Sequence, residues 1–166
     1  MDRRSFVKMA AGGASLLALY KLVSMENVMA ATESIEKINK PNAQWKKELT
    51  PEQYHILREE GTEHAFTSPL NQEKRLGIFA CAGCGLALFP SKFKYDSGTG
   101  WPSFFDVLPG HVETKTDFLL IALRTEYHCA RCGGHHGHVF KDGPAPTGLR
   151  YCNNGVALKF IPDSAA

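Results

Sequence analysis

The order of apolar and polar positions divides the chain into three stretches. From Met9 to about Val23 the residues are mildly apolar and rich in Ala, Gly and Leu. Lys21 interrupts this run, which falls short of the ~20 apolar residues that span a bilayer. Residues 31–42 are polar and read as a flexible lead-in. Thr50-Pro51-Glu52-Gln53 then carries the marks of a helix start: a Thr cap, Pro at the first helical position, and Gln three residues after the cap. Gly61 supplies a stop, so the spacing predicts a helix of about ten residues. Beyond Gly77 the pattern changes to short apolar runs punctuated by Gly and Pro, at 78–80, 118–123, 126–128, 149–153 and 156–160. These runs predict a small antiparallel β domain behind a short helical collar.

The length of 166 residues allows one ordinary domain, and 43% hydrophobic with 22% charged residues excludes wholesale disorder. The formal charge of +2 is unevenly placed. Residues 1–30 hold Arg3, Arg4, Lys8 and Lys21 against Asp2 and Glu26, leaving 15 basic and 15 acidic residues in the body. That balance argues against a nucleic-acid partner. Arg3-Arg4-Ser5-Phe6-Val7-Lys8 resembles a twin-arginine export signal, and Val28-Met29-Ala30-Ala31 offers small residues for cleavage after Ala30. Residues 1–30 are therefore expected to be a signal peptide read by the twin-arginine machinery, with a periplasmic product. An uncleaved amphipathic helix or membrane anchor is the alternative. All four methionines, Met1, Met9, Met25 and Met29, lie in this segment.

Five cysteines bring in chemistry. Cys81-Ala82-Gly83-Cys84-Gly85 and Cys129-Ala130-Arg131-Cys132-Gly133 are matching knuckles. Two residues between cysteines let both sulfurs face one ion, and the glycine allows the tight turn. Four thiolates in a closed tetrahedral set suit a structural Zn²⁺, which would pin two β-hairpins together. Paired disulfides and a rubredoxin-like iron site are the competing readings. Cys152 stands apart in Arg150-Tyr151-Cys152-Asn153-Asn154. In an extended strand Arg150, Cys152 and Asn154 share a face, and the guanidinium lowers the thiol pKa. A buried structural cysteine is the alternative. His135-His136-Gly137-His138 reads as a metal site, as general acid chemistry near neutral pH, or as a loop of satisfied histidines. In Ser97-Gly98-Thr99-Gly100-Trp101-Pro102-Ser103-Phe104, the aromatics Trp101 and Phe104 either wall a pocket or join the core.

Together these motifs resemble the methionine sulfoxide reductase B family, which reduces the R epimer of methionine sulfoxide. The matching segments are Phe79-x-Cys81-x-x-Cys84-Gly85; Asp96-Ser97-Gly98-x-Gly100-Trp101-Pro102-Ser103-Phe104; Cys129-x-x-Cys132; His135-x-Gly137-His138-Val139-Phe140-x-Asp142-Gly143-Pro144; and Thr147-Gly148-x-Arg150-Tyr151-Cys152-x-Asn154. The resemblance covers residues 43–162. It implies two antiparallel β-sheets with short N-terminal helices and a structural zinc; a monomer is expected. It assigns Cys152 as nucleophile, His135 and His138 as active-site histidines, and Asn154 as an amide near the substrate. Trp101 would contact the substrate methyl, with Phe104 and Arg150 beside it, and Asp142 would orient a histidine. Many members carry a resolving cysteine where this chain has Thr99. An external thiol, from a thioredoxin-like protein or a small molecule, is therefore expected to regenerate Cys152. His136 and Asn153 are smaller departures from the family pattern.

Overall fold

The computed structural model describes residues 35–117 and 124–164. The expected export segment and the predicted strand at 118–123 lie outside the described residues. No helix among the described residues is long and apolar enough to cross a membrane.

Two short helices open the domain, α1 at Asn42–Glu48 and α2 at Pro51–Glu59. The cap of α2 is the reciprocal pair that the sequence pattern predicts. Gln53 N–H donates to Thr50 Oγ1 and Thr50 N–H donates to Gln53 Oε1, each at 3.2 Å. The helix ends one residue before Gly61, at Glu60, whose φ of 56° is left-handed. Trp45, Ile56 and Leu57 turn inward and are buried. The Arg58 guanidinium stacks 4.0 Å over the Trp45 ring and donates to the Cys132 carbonyl at 2.8 Å. One side chain thus ties both helices to the second knuckle. The lead-in is also fastened within its described part: Ile38 N–H donates to the Arg131 carbonyl at 2.7 Å, and Ile35 and Ile38 pack on the core.

The described residues beyond the helices include nine strands: β1 Gly77–Cys81, β2 Ala87–Pro90, β3 Lys94–Tyr95, β4 Ser103–Phe104, β5 Val112–Asp117, β6 Arg124–Cys129, β7 His135–Phe140, β8 Arg150–Asn153 and β9 Leu158–Pro162. They form a three-stranded sheet, β2-β1-β9, and a six-stranded sheet, β3-β4-β8-β7-β6-β5. All pairings are antiparallel. The two-sheet, mainly β architecture is the one expected. Aromatic rings from both sheets make the core between them. Phe89 and Phe104 stack with centroids 4.2 Å apart, Phe79 meets Phe104 edge-on at 5.0 Å, and Tyr127 is fully buried. Offset and edge-on rings bury large areas and fix the sheet spacing.

This register places β8 between β4 and β7, with Cys152 opposite Ser103 on one side and His138 on the other. The approach to β7 is closest at Gly137. A Cβ added there would stand 2.0 Å from the Cys152 carbonyl oxygen, on a backbone with φ of +153°. Gly137→Ala should therefore destabilise the domain by about 2 kcal/mol or more, the usual cost of overpacking. A urea midpoint unchanged from the parent would contradict that close contact.

Candidate active site

Cys152 opens on a cavity of about 150 Å³ whose walls include Trp101, His138, Asn154, Arg124 and Phe140. Two of these walls are held from behind. Trp101 donates its indole N–H to the Glu63 carbonyl at 3.2 Å. Asn154 is locked at both ends of its amide: Oδ1 accepts from Glu63 N–H at 3.0 Å, and Nδ2 donates to the His136 carbonyl at 3.0 Å. The Glu63 carboxylate accepts backbone N–H bonds from Gly155 at 2.6 Å and Val156 at 3.0 Å. Glu63 therefore braces Trp101, Asn154 and the turn after Cys152 together. Sequence reasoning missed it, because its partners lie 38 to 93 residues away and no local pattern marks them.

The histidines stand one behind the other. His138 lines the cavity, and the His135 ring meets it edge-on with centroids 5.6 Å apart. His135 is almost fully buried, with Nδ1 3.3 Å from Glu126 Oε2. Burial, and then the neighbouring His128, lower the His135 pKa to about 4. It is neutral at pH 7 and can carry a proton only transiently. His136 points away from the cavity, fully buried and stacked on Tyr127 at 6.2 Å.

Three expectations change. Phe104 is fully buried between Phe79 and Phe89 and belongs to the core rather than the substrate wall. The position is inward-facing on β4, and ring stacking holds it there. Asp142 does not orient a histidine. Both of its oxygens accept from Arg150, from Nε and a terminal nitrogen, each at 2.8 Å. Arg150 also lies 4.3 Å over the Phe140 ring, so it stands beneath the cavity wall and acts on Cys152 through its charge. Finally, the Cys152 thiol is not lowered. Burial pushes it up, against the opposing pull of the Arg150 charge and hydrogen bonding to Thr99 and Arg150.

The four knuckle cysteines come together. Cys81 and Cys84 close the β1–β2 turn, while Cys129 and Cys132 close the β6–β7 turn. Both knuckles fold alike, with Gly85 N–H donating to the Cys81 carbonyl and Gly133 N–H to the Cys129 carbonyl, each at 2.8 Å. Gly85 and Gly133 take positive φ of 73° and 66°, which these turns require. The four sulfurs lie within 4.8 Å of one another, with Cys81–Cys132 at 3.7 Å and Cys84–Cys129 at 3.5 Å. Tetrahedral Zn–S bonds of about 2.3 Å put sulfurs roughly 3.8 Å apart, so the set fits such an ion. None is in a disulfide. Hydrogen bonding, chiefly to Cys129, drives the Cys81 thiol up and the Cys132 thiol down. A cation at the centre would relieve that competition.

The SelR domain family matches residues 49–162. This chain belongs to the methionine sulfoxide reductase B family. Its relatives include peptide methionine sulfoxide reductases MsrB from three organisms. That of Agrobacterium fabrum is 54% identical over 127 residues, covering 76% of this chain and 94% of the relative. That of Leptospira interrogans is 55% identical over 125 residues, covering 75% and 95%. The protein of Methanosarcina barkeri is 53% identical over 124 residues, covering 74% and 87%.

The buried thiol gives a direct expectation. Alkylation of Cys152 by iodoacetamide should rise with pH through a midpoint above the free-thiol value of about 8.5. Arg150→Leu should move that midpoint further up, because it removes the charge that favours the thiolate. Mass spectrometry of the Cys152 peptide across pH reads both, and a downward move in Arg150→Leu would refute the assigned role.

Proposed function

We propose that the chain is a peptide-methionine (R)-S-oxide reductase in which Cys152 is the nucleophile and an external thiol regenerates it. The observation that carries this reading is the small cavity that Cys152, Trp101 and His138 line together, with His138 and Cys152 directly opposite on neighbouring strands. The cavity suits a methyl sulfoxide. Trp101, fixed by Glu63, offers an apolar face to the methyl group, and the locked Asn154 amide narrows the poses available. A chiral sulfur seated by its methyl presents its oxygen to one side only, so shape selects the epimer.

The Cys152 thiolate attacks the sulfoxide sulfur. Oxygen is a poor leaving group until protonated, and His138, with His135 behind it, stands where a proton is delivered. The S–O oxygen passes to Cys152, which becomes a sulfenic acid as methionine departs, so two electrons move from the thiol to the sulfoxide. A first external thiol then displaces water from the sulfenic acid to form a mixed disulfide. A second releases Cys152 as thiol. Arg150, held by Asp142, offsets the burial that disfavours the attacking thiolate.

The four-cysteine site is read as a structural zinc site, supported by the sulfur spacing and the soft, closed ligand set. Bound there, zinc supplies a crosslink between two hairpins and no chemistry at the reacting atoms. The Arg3-Arg4 segment supports export by the twin-arginine route to the periplasm, where a thioredoxin-like protein or small thiol would be the reductant.

With dithiothreitol as reductant, a blocked R-sulfoxide should yield methionine and the S epimer none, measured by chromatography. Cys152→Ser should abolish turnover while keeping fold and metal. In parent protein oxidised by substrate alone, mass spectrometry should find a sulfenic acid at Cys152. An internal disulfide would refute the external-thiol step. Removing the metal with a strong chelator should lower the melting temperature by more than 10 °C, on the order of what several kcal/mol gives a domain this size. An unchanged transition would refute a structural metal.

A further inference from the structure

Behind His138 lies a second group of ligand-type side chains. Glu126 and His128 project from the same face of β6, and His135 faces them from β7, across the His128–His135 strand pair. Each offers one ligand atom, and these atoms lie within 4.8 Å of one another. Glu126 and His135 are buried, and the His128 side chain is 15% exposed.

The spacing is the first clue. His135 Nδ1 stands 3.3 Å from Glu126 Oε2, and His128 Nε2 stands 3.5 Å from Oε1. Both nitrogens are buried, yet neither makes a hydrogen bond, and His135 Nε2 has no partner either. Groups arranged around an ion show such spacing. Metal bonds of about 2.0–2.2 Å in tetrahedral array set neighbouring ligand atoms roughly 3.4 Å apart.

The tautomer is the second clue. His128 Nδ1 lies 3.3 Å from the Gly133 carbonyl, which can only accept, so Nδ1 carries the hydrogen. The ring then presents its Nε2 edge to the Glu126 carboxylate at 3.5 Å. A ring N–H donated to a backbone carbonyl, with the other nitrogen left bare, is the usual posture of a metal-bound histidine. Lys115 approaches Glu126 Oε1 at 2.9 Å from the rim, but its side chain is 61% exposed and is shared with Glu60 at 3.3 Å.

We propose that Glu126, His128 and His135 form a second metal site for one divalent first-row transition ion, typified by Zn²⁺, with Lys115 as the competing cation. Two imidazoles and a carboxylate suit such an ion and leave a position for water. Because His135 packs against His138, an ion here withdraws His135 from proton delivery and inhibits the reductase. That consequence rests on the function proposed above, whereas the metal site does not.

The test uses the full chain with its four cysteines already loaded, exposed to excess Zn²⁺ and freed of unbound metal by gel filtration. Metal analysis should find two zinc ions per chain, and one in His128→Asn of unchanged circular dichroism. One ion in the parent, or two surviving in His128→Asn, would overturn the site. The second outcome covers an ion held instead at Cys152. Lys115→Met should tighten the second ion roughly fivefold by removing a like charge; unchanged or weaker binding would also overturn it. Stoichiometry is read without turnover, so failure of the site and failure of the proposed reaction remain distinct.

Discussion

Four sulfurs contributed by two hairpins of different sheets are the constraint on which the rest of this molecule depends. One hairpin belongs to the three-stranded sheet and the other to the six-stranded sheet, so their meeting sets how the sheets face each other. The aromatic layer then fills the gap so defined. A domain this small buries a limited core, and a metal held by these four cysteines would add stability that packing alone supplies with difficulty. Arg58 extends the same junction to the helices, because its guanidinium caps the Cys132 carbonyl while stacking on Trp45. β7 begins three residues after Cys132, so the knuckle also sets the depth at which His135 and His138 enter the sheet.

The site itself balances two opposed demands. A thiol must be sheltered to meet an apolar methyl sulfoxide away from competing water, and shelter favours the protonated thiol. The Asp142–Arg150 pair is the counterweight. Its bidentate geometry holds a positive charge near Cys152 without opening the cavity to solvent. Asp142 lowers the net charge of the pair, so the pull on Cys152 is moderate and burial prevails. Such a thiol is quiet until substrate arrives. Neutral His135 behind His138 fits the same logic, since a permanently charged neighbour would resist another proton.

Local chemistry was legible in the sequence wherever the signal was short. The knuckles announce themselves through two cysteines and a glycine within five residues, and α2 through its capping box. Strands β3 and β4, of two residues each, carry no period to detect, and β7 is written in histidine and glycine rather than alternating apolar residues. Site residues divided the same way. The face shared by Arg150 and Cys152 follows from strand alternation. The partner of Asp142 did not, because His138 is nearer in sequence than Arg150 and only the hairpin geometry chooses. Trp101 and Phe104 sit three residues apart and look alike in sequence. One lines the cavity and the other is sealed between two rings, a difference set by residues 79 and 89.

The absence of a cysteine at Thr99 gains meaning from this arrangement. The other four thiols are gathered at the hairpin junction, and their withdrawal to resolve Cys152 would dismantle the contact that organises both sheets. Thr99 itself hydrogen-bonds to Ser97 at 2.8 Å, so the loop is shaped around a hydroxyl. A hydroxyl cannot attack a sulfenic acid under these conditions, whereas it can hydrogen-bond to one. The cavity that admits a methionine side chain is also wide enough for a cysteine side chain, which has fewer heavy atoms. The route by which substrate enters can therefore serve as the route by which the reductant's thiol reaches the same sulfur, and the two must take turns. In the proposed cycle, recycling by an outside thiol would need no movement of the knuckles, and Cys152 would stay chemically separate from the four knuckle cysteines.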